Sequence, residues 1–558
     1  MSVFARRDCV MKGWLFLGGI LGLALAVEAS AFVVDNGIPQ GNAFVAGIKG
    51  DTVELHNEIR DTVGWWFWWA FRVRGAEGRT LKFRFRPDPL TGRHEFVSTR
   101  GAAVSSDLGA TWRYTDGETH RDSKGFAYTF GKDEREVWFA MCLPHGLREW
   151  RALVARHAAD AAHFRPGVFC VSRKGREVPC ARLGRLDGKA RFRLITTARH
   201  HAAENVASYV QEGVIDAILA DTETGRWFRE NVEALAVPFM DLDGVVDGDQ
   251  GKNRFPHDPA RDYDNWAYPT TAALRDFIRK DWHGKLDVVI DFHCPHYNNP
   301  LMHQMFTRTG RNTARQRRFA QLVYENRRGM LYHPRNDVAW NTPWSNDSFF
   351  GAGRPLQIWA ADEFDARLVT LYEIPFASTA ESAQGPFEPV TAAAARAFGG
   401  GVAEALMRYL LEPDPAEKEP GPRRVGKFAT GAERQSPAGE LQLDGVRFDR
   451  DVRGRSFPFF DGARFRERGR RKVGNREIAF AKFERGGCPV FVFQHPHLTT
   501  YADMDVDLSS VLEARDDYVL VDLASGNAFA LDGVGRIPVG TVPGLVVPRA
   551  QVEGYLVK

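Results

Sequence analysis

Cysteine is scarce in this chain, six in 558 residues and scattered, which excludes a fold stapled by a disulfide framework. Charge of one sign is lacking as well: 74 Lys and Arg stand against 71 Asp and Glu, a formal net charge of +3. No strong global field draws such a chain onto nucleic acid or anionic lipid, so any partner has to be recognised at a local site. Long apolar runs are missing apart from one near the start, and no internal repeat points to a solenoid.

The one apolar run extends from Trp14 to Val27, with Arg6, Arg7 and Lys12 before it and Ala29-Ser30-Ala31 after it. It is shorter than the ~20 residues of a spanning helix. A basic start, an apolar centre and small residues at the end are the parts of an export signal, expected over residues 1–31 and removed after Ala31. The mature protein is then periplasmic or secreted and free of the membrane. Cys9 leaves with the signal. Cys170 and Cys180 flank a short basic turn, where a bridge and a pair of free thiols are both open readings.

Length allows two or three domains. Residues 32–144 hold short runs of β-branched and aromatic residues (VELHNEI, WWFWWAFRVRG, KFRFRP, AYTFG) separated by Gly, Asp and Pro, the pattern of an N-terminal β-sandwich. Trp65, Trp66, Phe67, Trp68 and Trp69 suit a central strand buried on both faces, with a sugar or membrane platform as the competing reading. From His145 to Phe164 the period becomes helical. Strand-like FRLITTA, ALAVPFM, LDVVIDF and ARLVTLYEI then alternate with helix-like segments up to Leu411. That alternation predicts an α/β domain with a mixed sheet over 145–411. Residues 412–424, rich in Pro and charge, read as a linker. Residues 425–558 read as a small all-β domain.

Three segments carry chemistry. In TTARHHAAENVASY an apolar strand is followed by His201 and Glu204, three residues apart, where a loop becomes a helix, so both side chains can converge on one ion. In LDVVIDFHCPHYNN a strand delivers His293 at its C-terminal end, the end at which open α/β sheets build their crevices. Two His and one Glu leave a tetrahedral zinc one open position, as in a catalytic site. In ARLVTLYEIPFAS a further strand ends at Glu373, a carboxylate able to move protons beside such a centre.

The succession ARHHAAENVASY, VPFMDLDGVVDGDQGKNRFPHDPARDYDNW, VVIDFH and LYEIPFA resembles the zinc metallocarboxypeptidases, specifically the branch that includes the cytosolic carboxypeptidases. The likeness covers roughly residues 32–411, since that branch also carries an N-terminal β-sandwich with an aromatic strand. It implies one Zn2+ per chain on His201, Glu204 and His293, with Glu373 as general base. It further implies that Asp258 orients a ligand histidine and that Arg261 grips the terminal carboxylate of a peptide substrate. An arginine that polarises the scissile carbonyl should come from the GDQGKNRF loop, Arg254 first and Lys252 second. Ala260 stands where the family has Asn, a second contact to that carboxylate.

The activity this implies is hydrolysis of a C-terminal amino acid from peptides. The Ala260 departure keeps open a zinc amidase, a deacylase or an endo-acting peptidase on cell-wall peptides. A glycan- or cell-wall-binding protein without catalysis is the reading of another class. Asp241, Asp243, Asp247 and Asp249 suggest a calcium loop, but Val245 occupies a required acidic position and no Glu closes the loop, so a turn is expected. His495 and His497 lack a third ligand and read as a strand end. His200 is expected to point away from the metal as a packing residue. Arg354, Asp362 and Glu363 are candidates for the floor of the specificity pocket.

Overall fold

The computed structural model describes residues 32–415 except 57–59, 61–66, 88–91, 93–95, 116–122, 253, 308–310, 341, 343 and 347–352; beyond 415 it describes strand backbones only. The expected export signal, Trp65, Trp66, His495 and His497 lie outside the described residues. No helix among the described residues is long and apolar enough to cross a membrane.

Residues 33–140 form two sheets. One has the order β1 (Val33–Asp35), β4 (Ala70–Arg74), β9 (Glu136–Ala140), β6 (Ala103–Ser105), β7 (Arg113–Tyr114). The other has the order β2 (Phe44–Lys49), β3 (Thr52–His56), β5 (Thr80–Phe85), β8 (Gly125–Thr129). Alternation puts Phe71 and Phe139 of the first against Phe83 and Phe126 of the second, with ring centroids 5.2 to 5.5 Å apart across the two sheets. At that separation the rings add to the area they bury. The aromatic run behaves differently from the expected strand. Phe67, Trp68 and Trp69 are buried, but the ladder begins only at Ala70, because the N–H groups of Phe67 and Trp68 both donate to the side-chain oxygen of Gln250, 3.0 Å away. A side chain from the next unit takes the place of a neighbouring strand.

Helix α1 (Leu147–His157) follows, shorter than its apolar period suggests, with Glu149 folding back onto the Gly146 N–H. The second unit is a seven-stranded sheet in the order β10 (Phe164–Val171), β11 (Glu177–Gly184), β13 (Val232–Val237), β12 (Phe192–Ala198), β14 (Val288–His293), β16 (Leu368–Glu373), β15 (His303–Met305). The four central strands are mutually parallel. The outer pairings β10–β11, β11–β13 and β15–β16 are antiparallel. The central strands are almost wholly buried, as expected where helices cover both faces. Those helices are α2 (Asn205–Leu219), α3 (Glu223–Asn231), α4 (Leu242–Asp247), α5 (Pro269–Lys280), α6 (Arg311–Asn326), α7 (Leu356–Glu363) and α8 (Ala392–Leu411).

Helix α2 is buried nearly all round, because α8 packs on its far side. Their backbones approach so closely that a Cβ on Gly213 would meet the Arg396 carbonyl oxygen at 2.0 Å, and one on Gly399 would meet that of Val210 at 2.0 Å. The β10–β11 hairpin, β15 and α4 were not legible in sequence; the outer strand of the first is largely exposed and lacks a clean alternation, and the others are very short. Cys142, Cys170, Cys180 and Cys294 are free thiols. Beyond 415 eight strands form one sheet, from Arg464–Val473 at one edge to Leu556–Val557 at the other.

Candidate metal centre

Strand β12 ends at Ala198 and the chain turns through Arg199, whose φ of +63° lies in the left-handed region. Arg199 is fully buried. It donates to the Ala202 carbonyl at 2.8 Å, to the His145 carbonyl at 2.8 Å and to the Gln40 side chain at 3.2 Å. Burial pulls its guanidinium down to about 10. Three carbonyl-type acceptors thus pin the loop that carries the next residues, an arrangement that offsets the cost of the unusual backbone and the buried charge.

Within that loop His201 and Glu204 face each other, with Nδ1 of His201 2.7 Å from one carboxylate oxygen. Glu204 is the N-cap residue of α2 but makes no side-chain cap; its carboxylate turns to the imidazoles instead. From the end of β14, Nδ1 of His293 comes within 2.9 Å of the other carboxylate oxygen. One donor atom from each of His201, Glu204 and His293 lies within 4.8 Å of the other two, and all three residues are buried. The second nitrogen of each ring is held by a carboxylate: Asp258 at 2.9 Å from Nε2 of His201, and Asp291 at 3.0 Å from Nε2 of His293. That is the support a metal-binding histidine needs to present its other nitrogen.

Two nitrogens and one carboxylate, supported in this way, fit a zinc ion with an open position. Electrostatics agree. Burial pushes the Glu204 carboxyl up, but His201 and His293 outweigh it and hold it down at about 2. Burial disfavours charge on His201 and His293, yet Glu204 and the carboxylates behind them raise both above the usual imidazole value. The cluster is a carboxylate crowded by cationic groups, which a metal ion would replace with one divalent charge.

Glu373 ends β16 in register with His293, so the two side chains rise from adjacent parallel strands on one face of the sheet. Burial lifts its carboxyl to about 7, with His293 and Lys252 opposing and Glu204 adding to the rise. One of its oxygens is buried without a hydrogen-bond partner.

The 250–254 loop packs on the ligand loop: a Cβ on Gly251, whose φ is +81°, would meet the Ala202 nitrogen at 2.2 Å. The positive field of Lys252 reaches His201, Asp258 and Glu373. Arg254 is buried between Asp241 and Asp249 and paired with both. Of the two cations considered for this loop, it is therefore Lys252 whose charge acts on the cluster. Asp258 caps the short turn Pro259–Arg261 through the Ala260 N–H at 3.0 Å, and Arg261 sits 3.6 Å from its second oxygen.

The four acids of DLDGVVDGD form or flank α4 rather than an open turn. Asp241 caps it and pairs with Arg254; Asp243 and Asp247 bind Arg176; Asp249 binds Arg60 and Arg254. Each carboxylate is already matched by a cation, so no calcium loop forms. Arg354, Asp362 and Glu363 close on one another and on Asp264, so the charges considered for a pocket floor are spent in a surface cluster. Glu373 is flanked across the sheet by His293 and by buried His303; two residues back on the same face, Leu371 packs with Met305 and Val338 next to Trp344. Sequence reasoning also missed Asp291. The signal was present, because the D-x-H spacing on one strand puts both side chains on the same face.

Among solved structures, a metallo-carboxypeptidase from Pseudomonas aeruginosa matches with a TM-score of 0.57 at 18% identity, over 68% of this chain and 99% of that one. One from Burkholderia cenocepacia matches with a TM-score of 0.56 at 16% identity, over the same shares. This chain has the fold of those metallo-carboxypeptidases. In sequence, cytosolic carboxypeptidase 2 of Danio rerio is 26% identical over 243 residues, 38% of this chain, and cytosolic carboxypeptidase 6 of Mus musculus is 24% identical over 185 residues, 30% of this chain. The chain spans about a third of the length of these two relatives, 33% of each. No family model matches the chain. In this chain the parallel strands β12, β14 and β16 carry or lead into His201, His293 and Glu373.

Proposed function

We propose that this chain is an exported, zinc-dependent carboxypeptidase that hydrolyses the last peptide bond of peptide substrates. The observation that carries the reading is the conjunction of two buried features. Two carboxylate-supported imidazoles meet one carboxylate, and in the next strand Glu373 keeps an oxygen unpartnered. A bound zinc supplies Lewis acidity, lowering the pKa of a water and polarising a carbonyl.

The chain's own residues do the rest. His201, Glu204 and His293 hold the ion, with Asp258 and Asp291 fixing the rings. Glu373 takes a proton from the attacking water at its unpartnered oxygen and delivers it to the leaving amine; a carboxyl lifted to about 7 by burial is suited to both transfers. Lys252 faces the negative charge that develops on the carbonyl oxygen. Arg261, at the rim beside Asp258, meets the substrate's terminal carboxylate. Export rests on the signal-like residues 1–31, and peptides of the cell envelope or imported peptides are the substrates that location favours.

Ala260 favours one alternative, because it removes an amide that would share the terminal carboxylate with Arg261. An amidase or endo-acting enzyme needs no such grip. Peptides with free and amidated C-termini separate the two. A carboxypeptidase loses most of its kcat/KM on amidation, by roughly the 10- to 200-fold or more that one charge-assisted contact carries; equal turnover of both forms refutes the exopeptidase reading.

A further inference from the structure

His200 was expected to pack against its surroundings and nothing more. It is fully buried, yet both of its ring nitrogens are engaged in a polar chain. Nδ1 lies 3.1 Å from Oδ1 of Asp291, and Nε2 lies 2.8 Å from the hydroxyl of Tyr263. Asp291 uses its other oxygen on Nε2 of His293, 3.0 Å away, and accepts a further hydrogen bond from the Thr197 hydroxyl at 2.7 Å. The ring of His200 stacks parallel on that of His293, with centroids 5.4 Å apart and planes 5° from parallel.

Proton placement along this chain follows from donor and acceptor capacity. An ionised Asp291 only accepts, so Nδ1 of His200 and Nε2 of His293 both carry hydrogen. A neutral His200 then accepts at Nε2, and the Tyr263 hydroxyl donates to it. Fixing the hydrogen of His293 on Nε2 leaves its Nδ1 with a free lone pair, and Nδ1 is the atom that faces Glu204. We propose that His200 and Tyr263 are positioning residues for the metal centre, acting through Asp291 to fix the tautomer and orientation of His293. The inference rests on the zinc site of the preceding subsection.

Two imidazole-carboxylate groups share His293: His201, Glu204 and His293, and His200, Asp291 and His293. In the second group both oxygens of Asp291 are in use, one by His200 and the Thr197 hydroxyl and the other by Nε2 of His293, so this carboxylate serves to hold the rings. On the other side Nε2 of His201 meets Asp258, which accepts from the Ala260 N–H and lies 3.6 Å from Arg261. The His293 side is a relay of four residues from Tyr263 to the metal-facing nitrogen.

The test is the zinc affinity of the full-length protein, measured by competition with a chromophoric chelator, alongside the melting temperature of the metal-free protein. His200→Leu removes the donor to Asp291 and the stacked ring; His200→Asn removes the ring but keeps an amide N–H near the position of Nδ1. Tyr263→Phe removes only the hydroxyl. Loss of an outer hydrogen-bond partner typically weakens metal binding by about 10- to 100-fold. We expect His200→Leu in that range, His200→Asn within about threefold of wild type, and Tyr263→Phe a few-fold weaker, all with similar metal-free melting temperatures. Wild-type affinity in His200→Leu, or equal weakening in the Leu and Asn variants, overturns the relay. If His200→Leu fails to fold, Asn and Tyr263→Phe decide: affinity unchanged in Tyr263→Phe and lost in His200→Asn refutes it. Failure of the wild-type protein to bind zinc at all would instead refute the metal-site reading itself.

Discussion

Glu373→Gln separates the chemistry of the proposed base from its cost to the fold, and the two effects run in opposite directions. The substitution keeps shape and removes both charge and proton-accepting capacity. A positioned general base contributes about 10²- to 10⁴-fold to rate, so hydrolysis should fall by that factor, ~3 to 5 kcal/mol of transition-state stabilisation. Stability should move the other way. In the metal-free protein burial lifts the carboxyl from 4.5 to about 7, a rise equivalent to ~3 kcal/mol between its two protonation states. Because the folded value lies above the unfolded one, the folded state binds more protons between about pH 4.5 and 7, and wild-type stability falls as pH rises through that window. Gln carries no such penalty. Denaturant unfolding of the metal-free proteins should therefore give curves that coincide near pH 4 and diverge to as much as ~3 kcal/mol in favour of Gln at pH 8. Unchanged hydrolysis of a peptide panel removes Glu373 from the mechanism. Lost hydrolysis with a stability difference that ignores pH shows that the carboxylate is not buried without compensation, and the argument for its raised pKa fails.

Zinc binding should release protons, because His201 and His293 are held above the usual imidazole range by Glu204, Asp258 and Asp291 despite their burial and a ligand nitrogen must be unprotonated. Affinity should climb as pH rises through and above about 6.5; calorimetry in buffers of different ionisation enthalpy measures the protons, and a pH-independent affinity with none released contradicts the site's electrostatics. Lys252→Met should lower kcat by roughly 10²-fold while leaving the melting temperature nearly unchanged. Arg254→Met should chiefly destabilise, by up to about 3 to 5 kcal/mol, since it removes the buried cation that Asp241 and Asp249 share; a purely kinetic effect there would return the carbonyl-polarising role to Arg254. Peptides ending in Leu or Phe should outpace those ending in Arg or Asp, because the apolar group of Leu371, Met305 and Val338 lies one step behind the Glu373–His303 pair on that face of the sheet; a preference for charged ends would relocate the specificity pocket.

The sequence by itself determined the α/β class of 145–411, the strands that deliver His293 and Glu373, and the His-x-x-Glu turn. Each of these is a local pattern: strand runs have period or continuous burial, and a ligand at a strand's C-terminal end is fixed by where the run stops. What only the tertiary structure decided was pairing across the chain. Lys252 and Arg254 are two residues apart, and nothing local says which one meets Asp241 and Asp249 and which projects its charge onto the ligands. Phe67 and Trp68 look like strand because the side chain that takes their N–H groups, Gln250, is 182 or more residues away. His200 looks like packing because its partners Asp291 and Tyr263 come from other elements. Local propensity is written in neighbouring residues, whereas the state of a buried polar group depends on partners that only the folded chain brings within about 3 Å.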